Sequence, residues 1–158
     1  MFKQITILAV AGLASASTKA AHYATPWASV YNNCKFDVTV FREGATVDAG
    51  LSVAAGSVQT WGYPKEGEAT NALKITRGPD GLEQHEPQLV FSYSINDGKV
   101  AYDLSEVYGD AFKGFKVEAS ANDENCPKIE WDNGVSPGGA NPAASCSAEV
   151  AIAVGLCL

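Results

Sequence analysis

The sequence predicts an all-β fold: a disulfide-stapled sandwich of antiparallel strands in one domain of the 158-residue chain. Three observations carry that expectation. Apolar residues alternate with polar ones in short runs, with little helical periodicity. Gly, Pro, Asn and Asp break those runs at close intervals. The cysteines number four, an even count in a chain that opens with an export-type segment.

Residues 1–20 read as a signal peptide. Lys3 supplies the positive start, Ile5 to Ala14 is uncharged and apolar, and small residues follow. Cleavage after Ala16 or after Ala20 fits. The apolar run is far shorter than the ~20 residues a membrane span needs. Cutting after Ala20 removes Lys3 and Lys19 and no acid, so the exported chain, residues 21–158, is more acidic than its precursor.

The strands follow in order. Phe36, Val38 and Val40 alternate with Asp37, Thr39 and Phe41 until Glu43-Gly44. Val58 to Tyr63 makes a second run, stopped by Pro64, and Leu73 to Thr76 a third, ended by Gly78-Pro79. Leu89, Phe91, Tyr93 and Ile95 share one face of a fourth. Asp97-Gly98 is a two-residue hairpin signal, which pairs residues 88–95 with 99–105 and places Tyr102 in the core. Phe115 and Val117 mark another strand, Lys128 to Trp131 a short one, and Val150, Ile152 and Val154 the last. Asp132 to Ser145 has no apolar period and reads as a loop.

Composition narrows the function classes. Hydrophobic residues are 46% and charged residues 18%, enough for a packed core. Lys and Arg number 11 against 18 acids, a net charge of −7, which argues against nucleic-acid binding and against docking on anionic lipid. Cys34, Cys126, Cys146 and Cys157 show no CxxC spacing and lie far from His22 and His85, so disulfides are expected rather than a metal site. Three pairings remain open at this level. His85 is the only realistic base for a triad. Asp80, Glu83, His85 and Glu86 read as a solvated loop, and no cofactor is expected.

The run PQLVFSYSINDGKVAYDLSEVYGDAF (87–112) resembles thaumatin-like proteins, in which a strand leads through a turn into a Tyr-Asp-Val-Ser segment and a Gly. SVYNNCKFDVTV resembles their first two strands, and ALKITRG the strand ending in Arg. The early NNC, the YDLS segment, the late CPKIEW and the terminal Cys resemble more closely the Bys1 family, a small fungal branch of secreted thaumatin-like antigens. The resemblance implies a thaumatin-like β-sandwich lacking the disulfide-rich second lobe. It also implies the bridges Cys34–Cys157 and Cys126–Cys146.

Thaumatin-like proteins present an acidic cleft that binds and sometimes cleaves β-1,3-glucan. Position by position, Arg77 matches the cleft arginine and Asp103 its first aspartate, while the glutamate falls on Ser92 and the second aspartate on Tyr108. The resemblance places Arg77 beside Asp103, and Glu106 or Asp110 is the nearest candidate second acid. The expectation is a non-catalytic protein, secreted or held in the cell wall, monomeric, and acting as an antigen or effector or by contact with polysaccharide or a host protein. A β-1,3-glucanase centred on Asp103 is the alternative. Trp61, Tyr63, Tyr108 and Phe112, near strand ends and turns, are the candidate rings for stacking on sugars.

Overall fold

The computed structural model describes residues 26–44, 46–68, 71–138 and 143–158; the expected signal peptide, 1–20, lies outside them. All regular structure among these residues is strand: β1 Trp27–Asn32, β2 Val38–Glu43, β3 Leu51–Val53, β4 Ser57–Gly62, β5 Asn71–Thr76, β6 Gln88–Asn96, β7 Lys99–Val107, β8 Val117–Ala121, β9 Ile129–Trp131, β10 Ala144–Ser147 and β11 Ile152–Leu156. They form a five-stranded sheet ordered β4-β1-β11-β8-β9 and a six-stranded sheet ordered β10-β7-β6-β5-β2-β3. The expected all-β sandwich is therefore present. One pairing departs from the antiparallel expectation: β1 and β11 run parallel, Ala28 opposite Ile152 through Asn32 opposite Leu156.

Several boundaries also shift. Phe36 precedes β2 and sits edge-on to Phe115, 5.8 Å between ring centroids. Phe115 lies in the turn before β8 rather than in the strand, and Val150 lies in the turn before β11. The expected loop 132–145 ends early, because Ala144 and Ser145 already pair with Tyr102 and Ala101 as β10. Its start is pinned. Gly134 has φ 60° and lies so close under the 112–115 turn that a Cβ there would meet the Phe112 carbonyl oxygen at 2.1 Å.

The β6–β7 hairpin forms as its sequence predicts. Asp97 and Gly98 both take left-handed φ, 51° and 67°, and Asn96 pairs with Lys99. Alternation then turns Phe91, Tyr93, Tyr102 and Leu104 inward onto Val30 and Val154, all buried. Asn32, 1% exposed, is a polar side chain placed inside this core. Its Nδ2 donates to the carbonyls of Phe36 and Val53, and its Oδ1 accepts from the Cys34 amide.

Both bridges pair as the resemblance implies. Cys34–Cys157 joins the ends of the two parallel neighbours β1 and β11. Cys126 lies between β8 and β9 and Cys146 on β10, so the second bridge ties one sheet to the other. The chain-entropy argument gives about 3 kcal/mol for its 20-residue separation and nearly 5 kcal/mol for the separation of 123.

The register defines two ends of the six-stranded sheet. Ile75, Leu89 and Glu106 form one cross-strand row, and Asn71, Tyr93 and Tyr102 another, nearer the β6–β7 turn.

Candidate acidic site and exposed aromatic face

Glu106 shares the inward parity of Val100, Tyr102 and Leu104, but at the frayed edge of the core it is only partly buried. β7 ends at Val107, and Tyr108, with φ 61°, turns the chain back. Asp110 thereby returns to the neighbourhood of the Glu106 carboxyl group and acts on its protonation. The Ser136 amide donates to Glu106 Oε2 at 3.0 Å. Burial, then the nearby Asp110, holds the Glu106 pKa above the ordinary carboxylate range, against the opposing pull of the Ser136 N–H.

Beside this pair lies an open cleft of about 200 Å³, lined by Arg77, Glu86, Asp110 and Lys113. Two cations and two carboxylates leave it near neutral. The Arg77 guanidinium stands over Phe36, 4.5 Å from the ring centroid, with Phe115 at 5.3 Å and Phe112 at 5.9 Å. Glu86 Oε2 accepts from the Gly78 amide and shapes the loop that follows Arg77. His85 is exposed, its ring edge-on to Tyr108 at 4.9 Å.

Asp103 is elsewhere. It pairs with Ser92, and Ser92 with Ala72, so Arg77 lies roughly 16 Å further along the strand direction. The Arg77–Asp103 juxtaposition implied by the resemblance is not formed. Asp103 also faces the outer side of the sheet, whereas Glu106 has the opposite parity. The Asp103 Oδ1 atom is buried without a hydrogen-bond partner. Hydrolytic carboxyl pairs stand ~5–9.5 Å apart with the scissile bond between them. Glu106 and Asp110 cluster at the β7 end, and Asp103, of opposite parity to Glu106, does not face it across a substrate.

The four candidate stacking rings separate. Phe112 is 1% exposed and belongs to the core, so it offers no face to a sugar. Trp61 opposes inward Ala28 and packs against the core, and the half-buried Tyr63 donates its hydroxyl to the Val150 carbonyl at 2.8 Å. Tyr108 is open, 59% exposed.

Two other rings are better placed. Trp27 and Tyr31, 38% and 45% exposed, both project from the outer face of β1. Between and beside them lie Ser29, Ala153, Ser120 and Gly155, residues too small to fill the surface. Tyr31 stands between two adjoining depressions of about 250 and 270 Å³. Their sequence signal is the alternation Trp27-Ser29-Tyr31 outward and Ala28-Val30-Asn32 inward, obscured because both faces carry apolar side chains.

Solved structures with this architecture include the protein elicitor MoHrip2 from Magnaporthe oryzae, with TM-score 0.70 and 17% identity over 84% of this chain and 99% of that one. The thaumatin-like xylanase inhibitor TLXI is similar at TM-score 0.55 and 12% identity, again over 84% of this chain and 99% of that one. No curated protein matches the sequence significantly. The sequence model of the Bys1 family, described as Blastomyces yeast-phase-specific protein, matches residues 14–158, and the chain belongs to that family.

Proposed function

We propose that this protein is exported and acts without catalysis, as an effector-type monomer whose activity is contact with cell-wall polysaccharide. The observation that carries the non-catalytic part is the opposite parity of Asp103 and Glu106 on β7, which puts Asp103 on the other face of the sheet from Glu106 and its neighbour Asp110. These three acids do not flank a common substrate channel. The elicitor and the inhibitor that share the fold support the same reading by analogy. The outer face around Trp27 and Tyr31 supports polysaccharide as the ligand class, since flat rings beside small hydroxylated residues suit the alternating apolar and hydroxyl surfaces of sugars.

Sedimentation with insoluble β-glucan, chitin and mannan at mildly acidic pH tests this. Retention on one of them is expected, with a clear loss in Trp27→Ala and Tyr31→Ala. Retention on none removes the polysaccharide and leaves a host protein as the target. Release of reducing sugar from laminarin, abolished by Asp103→Asn, would restore the β-1,3-glucanase reading.

A further inference from the structure

We propose that the polar cleft at the opposite end of the sandwich from Arg77 is a binding site for a single neutral sugar residue, such as a glycan chain end. The cleft holds about 410 Å³, inside the ~300–1,000 Å³ range of small-ligand pockets. Arg42 and Thr46 reach it from the end of β2 and its turn, Tyr63 and Pro64 from the end of β4, Glu68 from the next loop and Asn71 from the start of β5.

Its walls are held in place before any ligand arrives. The Gly98 amide donates to Glu66 Oε1 at 3.1 Å, and the Gly67 amide to the Ile95 carbonyl at 3.3 Å, so the β4–β5 loop is fastened to the β6–β7 hairpin. Glu68 Oε2 accepts from the Lys65 amide, and the Tyr63 hydroxyl is anchored on Val150. Arg42 is held by Asp48 at 2.8 Å. A fixed constellation of this kind avoids the ordering cost of binding.

The chemistry selects an uncharged polyhydroxylated ring. One guanidinium and one carboxylate line the cleft, so an anion meets Glu68 and a cation meets Arg42. A sugar hydroxyl both donates and accepts, and so satisfies both groups at once. Tyr63 and Pro64 supply the apolar wall on which a pyranose face lies.

Tyr93, the cross-strand partner of Asn71, packs its ring on Tyr63 and senses the Arg42 charge, yet its hydroxyl is buried at 1% residue exposure without a hydrogen-bond partner. This hydroxyl lies behind the Arg42–Tyr63 wall, outside the cleft lining, so its removal controls for a merely structural effect.

The inference takes its ligand class from the polysaccharide reading above, but its test is separate. The exported protein, labelled with ¹⁵N, is titrated with laminaribiose, chitobiose and mannobiose. Saturable shifts at the amides of Thr46, Glu68 and Asn71 are expected with one of the three. Tyr93→Phe should leave that binding unchanged, because the hydroxyl lies behind the wall, with its melting temperature unchanged or higher. Glu68→Gln should weaken it about fivefold, the loss of one charge-assisted hydrogen bond. No saturation with any disaccharide overturns the proposal, as does unchanged affinity in Glu68→Gln. Polymer retention with a silent cleft sinks this site and spares the contact reading; disaccharide binding at the cleft without polymer retention does the reverse.

Discussion

The rings of Tyr63 and Tyr93 pack 5.8 Å apart, yet only the Tyr63 hydroxyl is used, in a 2.8 Å hydrogen bond to the Val150 carbonyl. The same substitution should therefore act with opposite sign at the two sites. Tyr93→Phe removes a buried, unpaired hydroxyl and should raise stability by about 1 kcal/mol. Tyr63→Phe strands the Val150 carbonyl and should lower stability by about 1 kcal/mol. Urea denaturation with unchanged slope reads both, and a loss in Tyr93→Phe would count against an unpaired hydroxyl.

The same pair sets an alkaline limit. Burial pushes the Tyr93 pKa up to about 12 from an ordinary 10.0, and Tyr63 rises further for the same reason. The folded state holds these protons more tightly than the unfolded chain. That contribution is intact below pH 10 and is lost as the pH climbs through the folded-state values. The urea midpoint should accordingly fall from pH 10 to 12, and Tyr93→Phe should flatten the decline. A midpoint constant across this window contradicts the expectation.

At the other end of the sheet the sensitive group is a carboxyl. Burial and then Asp110 raise the Glu106 pKa, so its contribution is complete below about 4.5 and lost as the pH rises through the folded-state value. Glu106→Gln keeps an acceptor for the Ser136 amide and turns a donor toward Asp110. Thermal scans should show this variant more stable than the parent at pH 7 and no better at pH 4. A lower melting temperature at pH 7 would mean that the ionised pair is tolerated without strain.

The features that could be read in the sequence are those with a local cause. Asp97-Gly98 fixes its hairpin through two adjacent left-handed residues, and strict alternation in β6 and β7 puts Tyr93 and Tyr102 inside. β3 and β10, three and four residues long, have no such signal, because they exist only by pairing with Val38–Val40 and Lys99–Tyr102. The disulfide partners came from resemblance, not spacing. At the acidic site, period-two alternation already separated Asp103 from Glu106, but the return of Asp110 depends on a left-handed Tyr108, which residue type does not announce. The end cleft gathers Arg42, Tyr63, Glu68 and Asn71 from four segments, so no short motif contains it.

The Asn32-Asn33-Cys34 step, part of the family resemblance, has a physical reason in its first residue. Asn32 ends β1 with its side chain inside the sandwich, and all three of its hydrogen bonds go to backbone: the Phe36 and Val53 carbonyls at 2.9 Å each and the Cys34 amide at 3.1 Å. The amide thus closes the β1–β2 turn, fastens β3 and seats the cysteine that bridges to β11. Asn32→Ala leaves two carbonyls and one N–H without partners and should cost about 3 kcal/mol, because neighbouring losses share part of their relaxation. Asn32→Asp keeps the acceptor for Cys34 but sets oxygen against both carbonyls and buries a charge, so it should cost more. Guanidinium unfolding of the two variants with both disulfides intact gives the comparison. If Asn32→Asp proves the milder change, the side chain is open to water or its amide points the other way, and this account of the motif fails.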